Sequence, residues 1–385
     1  MPETVVVKGN VITPGEQFGG GSVVVEHGRI TEVSAGKAGE GRIMDFGGCY
    51  VVPGFVDIHV HGGAGEDVMG ASPEGLDRLS QFLAAGGVTS FLATTHTDSQ
   101  ERTLRAVRRI GDATKRGTGG ARLIGLHMEG PYISMEKPGA QNCAHIRPPA
   151  LNELGEVEHG ADGSLRMVTL APEVDGALEA IRWLASRGIV VAAGHTDATY
   201  DEAQAGIEAG IRHATHLFNG MRSLHHREPG IVGASLEDDR VTVELIADGH
   251  HIHPAILRLV ARMKGAGGTA LVSDSTAVAG LPDGDYSFAG MKVTLRQGMS
   301  LLESGALAGS TIRLCDAVSN MVRVGVPLRE AVEMASTTPA RIAGVADRRG
   351  SIAPGMDADI TVLDRDLSVM LTMVGGRIVH GSEAR

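Results

Sequence analysis

The sequence predicts an α/β protein: a (β/α)8 barrel of the TIM type, joined to a small β-sandwich that both ends of the chain form. Two observations predict this fold. Eight short apolar segments alternate with amphipathic segments through the middle of the chain, and short β-rich segments with Gly-rich turns occupy both ends. The predicted domains are 1–52 with 346–385 for the β-sandwich, and 53–345 for the barrel.

The β-sandwich is predicted from short strands near the two ends. They are Thr4–Lys8, Ser22–Glu26 and Arg29–Val33 at the amino end, and Ile360–Leu363 and Met373–Val379 at the carboxyl end. Gly-rich turns separate them, which is typical of a small antiparallel sheet. That the two groups complete one sandwich is a hypothesis, because the sequence alone does not place strands in a common sheet.

The barrel is predicted from eight candidate strands: Tyr50–His59, Val88–Thr94, Arg122–Met128, Met167–Ala171, Ile189–Ala193, His213–Leu217, Val241–Ala247 and Thr269–Val272. Amphipathic segments such as Ser99–Thr114 and Pro254–Lys264 separate several of them, and this alternation indicates a parallel sheet. Eight units favour a closed barrel over an open Rossmann-type sheet. No Gly-x-Gly-x-x-Gly follows the first strand, which also argues against the open sheet.

Charge and composition exclude some classes of function. A formal net charge of -11 argues against a nucleic-acid binder, because phosphate backbones are met with an excess of Lys and Arg. No segment has about 18 consecutive apolar residues, so we expect no membrane span. Three widely spaced cysteines form no disulfide framework and fit a reducing compartment. We therefore expect a cytoplasmic protein.

The first barrel strand ends in a pattern of polar residues spaced by two. Asp57, His59 and His61 alternate with apolar residues, so we expect their side chains to point the same way. Two imidazoles that project together at a strand end can chelate one metal ion. Taken alone, His-x-His is a weak signal, since a coincidental pair explains it equally well.

Ionisable residues recur at the ends of four further predicted strands. They are His127 and Glu129, His195, His216, and Asp274. The carboxyl ends of barrel strands converge on the face where such enzymes have their active sites. Each residue alone is better explained as a structural His or a helix-capping Asp, but the set together predicts a metal site.

The predicted ligand set is four histidines and two carboxylates, donors suited to Zn²⁺, Fe²⁺, Co²⁺ or Mn²⁺. Two ions fit this set. His59, His61 and Asp274 would hold one, and His195 and His216 the other, with Glu129 bridging. Such ions lower the pKa of bound water and polarise a carbonyl. Asp274 would then accept the water proton and pass it to a leaving amine.

These residues lie in motifs that resemble a known family. The motifs are Val-Pro-Gly-Phe-Val-Asp-Ile-His-Val-His-Gly at 52–62, GLHMEGPY at 125–132, GHT at 194–196, THLFNGM at 215–221, REPG at 227–230, ADGHH at 247–251, SDS at 273–275 and LAGS at 307–310. In order and spacing they resemble the N-acetylglucosamine-6-phosphate deacetylases of the amidohydrolase superfamily. The resemblance extends over essentially the whole chain.

The resemblance implies a metal-dependent barrel with a small β-sandwich, usually a homodimer. It implies hydrolysis of the acetamide of N-acetylglucosamine 6-phosphate to acetate and glucosamine 6-phosphate. It places Glu129, His195 and His216 on the metal that is always present, and makes Asp274 the acid and base. Some members replace the first His-x-His, whereas this chain keeps His59 and His61, so we expect two ions, most simply Zn²⁺.

The resemblance also implies a set of contacts to the sugar phosphate. They are Ala140, Gln141, Asn219, Gly220, Arg227, Asp248, His251, Leu307, Ala308 and Gly309. A guanidinium and an imidazole near a phosphate give charge-assisted hydrogen bonds, which fits an otherwise acidic protein. Arg227 is expected to reach the active site of the neighbouring subunit. Without the resemblance, it would be read as a solvated loop arginine.

One position departs from the family pattern. Several members have a histidine in a Gly-Thr-His-Asn context, where this chain has Gly139, Ala140, Gln141 and Asn142. Gln141 can donate a hydrogen bond to a substrate carbonyl but carries no titrating charge. His145 is the alternative donor. We favour Gln141 because it holds the aligned position.

Two other functions remain to be weighed. A cyclic-amide hydrolase of the same superfamily commonly bridges its metals with a carboxylated lysine, and none of the six lysines follows a central predicted strand. A catalytically dead sugar-phosphate sensor is the second alternative, because fold does not fix function. Its expected mark is the loss of Asp274 or a metal histidine, and all are present.

Overall fold

The computed structural model describes residues 4–13, 15–36 and 41–382. The chain begins with four strands: β1 (Val5–Ile12), β2 (Gln17–Glu26), β3 (Arg29–Ser34) and β4 (Arg42–Pro53). β1 pairs antiparallel with β2 and parallel with β4, and β2 pairs antiparallel with β3. Gly28 closes the turn between β2 and β3 with a φ of 76°, a left-handed conformation that glycine adopts without strain.

The middle of the chain alternates strands with helices. In chain order these are β5 (Phe55–Val60), the two-residue strands β6 (Gly62–Gly63) and β7 (Glu66–Asp67), α1 (Pro73–Ala85), β8 (Val88–Thr95), α2 (Gln100–Arg116), β9 (Arg122–Glu129), α3 (Leu151–Ala161), β10 (Leu165–Leu170), α4 (Ala177–Ala185), β11 (Val190–Ala193), α5 (Tyr200–Ala209), β12 (Ile211–Ala214), α6 (Gly230–Glu237), β13 (Thr242–Leu245), α7 (Pro254–Gly268) and β14 (Thr269–Leu271). A 3-10 turn, Cys143–His145, precedes α3.

The eight longer strands of this segment form one parallel sheet in the order β14-β13-β12-β11-β10-β9-β8-β5. Its two edges meet just beyond the strand ends. The Asp274 N–H donates to the His59 carbonyl at 3.0 Å, and the His61 N–H donates to the Ser275 carbonyl at 2.9 Å. Each of the eight predicted strands overlaps one of these, and the predicted barrel is confirmed.

The helix boundaries follow from local sequence signals. Ser72 and Ser99 cap α1 and α2 by accepting a hydrogen bond from a backbone N–H of the first turn. Thr199 and Glu202 form a reciprocal capping box at the start of α5. β5 and β8 are buried at every residue, as expected of parallel strands covered on both faces.

A small antiparallel sheet follows β14, and the sequence analysis did not predict it. It consists of β15 (Gly284–Phe288), β16 (Met291–Arg296) and β17 (Met299–Leu302). It leads into α8 (Leu314–Arg323), the eighth helix of the barrel, and then into α9 (Leu328–Ala335) and α10 (Thr337–Ile342). Phe288, at the end of β15, lies at the carboxyl end of the barrel, where its ring centroid is 5.8 Å from that of His61.

The amino end of the barrel is filled by an apolar plug. Ile342 and Val345, from α10 and the segment after it, join a buried cluster with the interior side chains Ile58, Ile124 and Ile246. Close packing of these buried apolar side chains makes this end a source of stability.

The chain ends with β18 (Ile360–Leu363), β19 (Val369–Val374) and β20 (Arg377–Gly381), in a sheet of order β20-β19-β18-β4-β1-β2-β3. Ile360 pairs with Pro53, so the two ends of the chain share this sheet. The β2–β3 turn lies against the β19–β20 turn: a Cβ at Gly28 would be only 2.7 Å from the Gly375 carbonyl. The sheet therefore curls around one apolar core. The exact domain boundaries stay a prediction.

Candidate active site

Six ionisable side chains converge at the carboxyl ends of the barrel strands. His59 lies at the end of β5 and His61 directly follows it, Glu129 closes β9, and His195, His216 and Asp274 follow β11, β12 and β14. Each of the six is buried, with at most 7% of its surface exposed. Buried charges are stable only when partnered, so the contacts among the six decide what this site can hold.

Asp57 does not join them, so the expectation that it points with His59 and His61 is wrong. The pairing of β5 with β8 shifts register between Asp57 and Val60, which breaks the simple alternation of side chains. The Asp57 carboxylate instead accepts a hydrogen bond from the Ser273 N–H at 3.2 Å and borders a small cavity beside Leu83 of α1. Burial raises the pKa of this carboxyl to about 7.

The four imidazoles face one another in pairs. His59 Nε2 lies 3.1 Å from His61 Nε2, and His195 Nε2 lies 3.2 Å from His216 Nε2. His61 Nδ1 lies 3.0 Å from the Thr94 carbonyl, which can only accept, so Nδ1 carries the proton there. The neutral ring then has the lone pair of Nε2 directed inward.

The same reasoning holds for His195, whose Nδ1 donates to the Lys137 carbonyl at 3.0 Å. His59 Nδ1 lies 3.0 Å from a carboxylate oxygen of Glu244. The carbonyls and this carboxylate therefore orient three of the four rings with their metal-binding nitrogens toward the cluster. His216 differs, because its Nδ1 is buried without a hydrogen-bond partner among the described residues.

The Glu129 carboxylate lies between the two pairs of rings. Its Oε1 is 3.0 Å from His216 Nε2 and 3.3 Å from His195 Nε2, while its Oε2 is 3.3 Å from His61 Nε2. Burial alone would raise the pKa of Glu129, but the charges of His59 and His195 hold it well below its usual value. Glu129 therefore stays an anion and can bridge two positions.

Asp274 completes the cluster from the last strand of the barrel. Its Oδ1 lies 3.3 Å from His61 Nε2 and 3.4 Å from His59 Nε2. Its backbone φ is 47°, and those of His195 and His216 are 47° and 28°. Residues other than glycine seldom adopt this left-handed conformation, and such strained positions concentrate at functional sites.

The donor chemistry of the cluster fits a divalent metal. Two groups of three donors, each with its ligand atoms within 4.8 Å of one another, are His59 with His61 and Asp274, and Glu129 with His195 and His216. Unprotonated imidazole nitrogens and carboxylates are the ligands of Zn²⁺ and its transition-metal neighbours. The predicted metal ligands are thus brought together in an arrangement that can hold a divalent metal.

A cavity of about 270 Å³ opens above the cluster. Besides five residues of the cluster, it is lined by predicted substrate contacts from four loops: Ala140, Gln141, Asn219, Gly220, His251, Leu307 and Gly309. Gly220 has a φ of 58°, and a Cβ there would lie 2.9 Å from the His195 ring, so only glycine fits. The cavity also includes Phe288, which the sequence analysis missed.

Three predicted contacts do not line this cavity. Asp248 lies behind it and accepts a hydrogen bond from His251 Nδ1 at 2.7 Å. Ala308 is buried in an apolar cluster with Phe288. Arg227 is exposed on a loop, where its guanidinium lies 2.8 Å from His226 Nε2.

Gln141 is fixed at both ends of its side-chain amide. Its Oε1 accepts a hydrogen bond from the Thr97 N–H at 2.6 Å, and its Nε2 donates to Glu129 at 2.5 Å. His145 does not line the cavity, and its imidazole lies 3.7 Å from Asp98 instead. The geometry therefore favours Gln141 over His145 as the residue that acts in the site.

Glu244 is the principal residue that the sequence analysis missed. It is fully buried on β13. One of its carboxylate oxygens lies 3.0 Å from His59 Nδ1 and accepts a hydrogen bond from the His216 backbone N–H, also at 3.0 Å. The other oxygen lies 3.0 Å from His213 Nε2. A charged residue in the apolar stretch Val241–Ala247 was the available signal.

His127, which the sequence placed at the end of β9, is a structural residue. Its Nδ1 donates to the Ile58 carbonyl at 3.1 Å, and its Nε2 lies 2.7 Å from the Thr169 hydroxyl. Burial and the charge of His59 lower the pKa of His127 to about 3, so it stays neutral. Both nitrogens are occupied, which leaves none for a metal.

No lysine lines the cavity among the described residues, so the carboxylated lysine of cyclic-amide hydrolases has no counterpart there. Lys37 lies outside the described residues. The bridging position is occupied by Glu129, which argues against that rival function.

Comparisons with known proteins agree with this geometry. The profile of the amidohydrolase family matches residues 50–379. An N-acetylglucosamine-6-phosphate deacetylase of Vibrio furnissii is 41% identical over 330 residues, which cover 86% of this chain and 82% of the relative. An N-acetylgalactosamine-6-phosphate deacetylase of Escherichia coli O157:H7 is 42% identical over 330 residues, which cover 85% of this chain and 86% of the relative.

The likeness extends to a solved structure. A mutant of N-acetyl-D-glucosamine-6-phosphate deacetylase from Mycobacterium smegmatis, in complex with N-acetyl-D-glucosamine-6-phosphate, superposes with a TM-score of 0.94. It is 36% identical in sequence, and the match covers 98% of this chain and 99% of that one. Barrel and terminal sheet are therefore both shared.

Proposed function

The chain belongs to the amidohydrolase family, and from this premise we propose that it hydrolyses the acetamide bond of N-acetylglucosamine 6-phosphate. The products are acetate and glucosamine 6-phosphate. One observation carries the proposal: the carboxylate and imidazole cluster around Glu129 lies at the base of a cavity of sugar size, lined by the loops that the deacetylase motifs occupy.

The site binds a divalent metal, and we propose two ions, most simply Zn²⁺. His59, His61 and Asp274 would hold one ion, His195 and His216 the other, and the anionic Glu129 would bridge them. Bound metal would supply an acidified water and a polarised acetamide carbonyl. The retention of both His59 and His61, with their nitrogens 3.1 Å apart, supports the second position.

Asp274 acts as the base and acid. It borders the cavity, and its carboxylate lies against the His59 and His61 rings. Burial works to raise the pKa of Asp274, but the charge of His59 and the hydrogen bond of His61 outweigh it and lower that pKa. The carboxylate is thus ready to accept the proton of the attacking water and to deliver it to the departing amine.

The loops around the cavity bind the sugar phosphate. An amide nitrogen has two N–H groups, so Gln141 keeps one for Glu129 and offers the other to the acetamide oxygen. Asp248 fixes the ring of His251, which lines the cavity and donates toward the phosphate. Asn219, Gly220, Leu307 and Gly309 contact the sugar, and Ala140 contacts it through its backbone.

The assembly is a homodimer in which Arg227 reaches the neighbouring subunit's site. The exposed position of Arg227, outside the cavity of its own chain, supports this arrangement. A cytoplasmic location is part of the same proposal and is supported by three cysteines that are all free. None of the helices in the described part of the chain has the length and apolar composition of a membrane span.

The galactosamine isomer is a second candidate substrate, because the Escherichia coli O157:H7 relative that is 42% identical is named for it. The two sugars differ only in the orientation of one hydroxyl at C4. The same metal cluster and proton transfer serve both, so side chains around the sugar ring decide between them.

An acetate-release assay tests these assignments. The substrates are the two acetamido sugar 6-phosphates and unphosphorylated N-acetylglucosamine, each with metal-loaded and with chelated protein. We expect rapid release from N-acetylglucosamine 6-phosphate, little from the unphosphorylated sugar, and none after metal removal. Equal rates with and without phosphate would exclude the roles of Arg227 and His251, and full activity after verified metal removal would exclude the mechanism. Binding of the sugar phosphate without acetate release would instead indicate a sensor.

A further inference from the structure

A second cavity lies at the opposite end of the barrel from the metal cluster. Its volume is about 860 Å³, and its walls are the starts of β9 and β10, the segment after α10, and the turn between β19 and β20. Arg122 opens β9 and Glu129 closes it. At 3.3 Å per residue, the two cavities are therefore roughly 20 Å apart.

The cavity has an unusual charge for this protein. Five arginines line it, Arg116, Arg122, Arg166, Arg349 and Arg377, and the only acidic lining residue among the described residues is Asp77. The chain as a whole has 46 acidic and 35 basic side chains. A concentration of guanidinium groups in a concave site of an acidic protein creates a local positive potential.

Three of the five arginines are already paired. Arg122 lies 3.3 Å and Arg349 3.1 Å from the same carboxylate oxygen of Asp357. Arg116 lies 3.6 Å from Asp77. These ion pairs offset part of the positive charge of the three side chains.

Arg166 and Arg377 are different. Neither side chain has an ion pair or hydrogen bond to a described residue, and the Arg166 Nε is buried without an acceptor. A buried guanidinium nitrogen without a partner is unfavourable, since its desolvation is not repaid. These two side chains leave the cavity with donors and positive charge that no described residue satisfies.

The neighbouring Gly-rich loop does not supply the donors. The backbone N–H of Gly117 donates to the Ala113 carbonyl, that of Gly119 to Asp77, and that of Gly120 to Ser80. A phosphate cradle of backbone N–H groups is therefore excluded at these three positions. Recognition falls to the guanidinium forks.

We infer that this cavity binds a small molecule that bears a phosphate group, held by Arg166 and Arg377. A planar guanidinium presents parallel N–H donors that match a phosphate in a bidentate manner. The anion would neutralise the two unpaired charges at the wall of the cavity. The volume leaves room for the organic part of such a molecule beside the bound group.

Calorimetric titration of the metal-loaded full chain with inorganic phosphate tests this inference. In the proposed function the active site also binds phosphate. The variant His251→Asn weakens binding there, so it shows which part of the measured phosphate binding belongs to the active site. We expect the phosphate affinity of the arginine-lined cavity to weaken about tenfold or more in Arg166→Gln and in Arg377→Gln. Arg258→Gln removes an exposed arginine of α7 outside the cavity and should bind as the wild type does.

Thermal melting without phosphate checks that each variant folds. Arg377 is exposed and unpaired, so its variant keeps the test decisive even if Arg166→Gln is unstable. Unchanged phosphate affinity in a folded Arg377→Gln variant would overturn the inference, as would binding of citrate without binding of phosphate. The titration does not depend on turnover, so its failure is distinguishable from failure of the acetate-release assay.

Discussion

The two ends of the barrel differ in the kind of side chain that they bury. At the carboxyl end, Glu129, Asp274 and Glu244 each lie within 3.4 Å of an imidazole, so each of these three buried carboxylates has a partner. At the amino end, an apolar plug around Ile342 fills the interior, and arginines gather at its edge. The six-residue cluster is thus built on a network of polar partners, whereas the centre of the amino end is filled by apolar side chains.

We therefore expect turnover and stability to depend on different ends of the same strands. Substitutions at the carboxyl end should change kcat or metal affinity, whereas those at the amino end should change the free energy of unfolding.

Asp274→Asn tests the carboxyl end at its centre. The amide keeps the shape of the carboxylate but cannot accept the water proton, so kcat should fall by about 10²- to 10⁴-fold. Steady-state acetate release measures this, and metal analysis of the purified variant separates lost chemistry from lost metal. A variant that keeps its metal and its kcat would show that Asp274 is not the base.

Glu244→Gln tests the network beneath the metal ligands. The amide replaces one acceptor oxygen with a donor, so it no longer matches both His59 and His213. We expect a loss of about 10- to 100-fold in metal affinity or activity. Competition with a chelating dye measures the affinity, and Glu179→Gln, which changes an exposed glutamate of α4, is the matched control. Equal affinities in the two variants would mean that Glu244 only fills space.

Gln141→Ala tests the departure from the family pattern. It removes the hydrogen bonds to Glu129 and to the Thr97 N–H, and we expect kcat/KM to fall roughly tenfold. Asn142→Ala is the control, because that side chain caps the next turn and does not contact Glu129. Undiminished turnover in Gln141→Ala would remove this residue from the reaction.

Ile342→Ala tests the amino end. The cavity left in the plug should lower the free energy of unfolding by about 2–5 kcal/mol. kcat at a temperature where the variant stays folded should equal that of the wild type. Denaturant unfolding and acetate release measure the two quantities on one preparation. A large loss of kcat without loss of stability would break the contrast between the two ends.

Much of this contrast was predictable from the sequence. The eight strands were visible because buried parallel strands are short apolar segments, and the metal ligands were visible because they end those segments. Position within a repeating unit was therefore enough to find His195, His216 and Asp274. No pairwise contact had to be known.

What failed depended on contacts between strands. Asp57 was misplaced because the register shift between β5 and β8 is set by the partner strand and leaves no mark in the local pattern. Glu244 was missed because its partners His59 and His213 come from two other strands. The sheet of β15–β17, with its half-exposed strands, lacks the strong apolar signal of the barrel.

The terminal sheet also constrains how this chain is made. β4 ends at Pro53 and β18, the strand that covers one of its edges, begins only at Ile360, so β18 is translated much later than β4. Until then that edge presents unpaired backbone groups, which are a template for pairing with another chain. Removal of β18–β20 would therefore expose this edge of β4 permanently, and it should cause aggregation before it affects chemistry at the distant metal cluster.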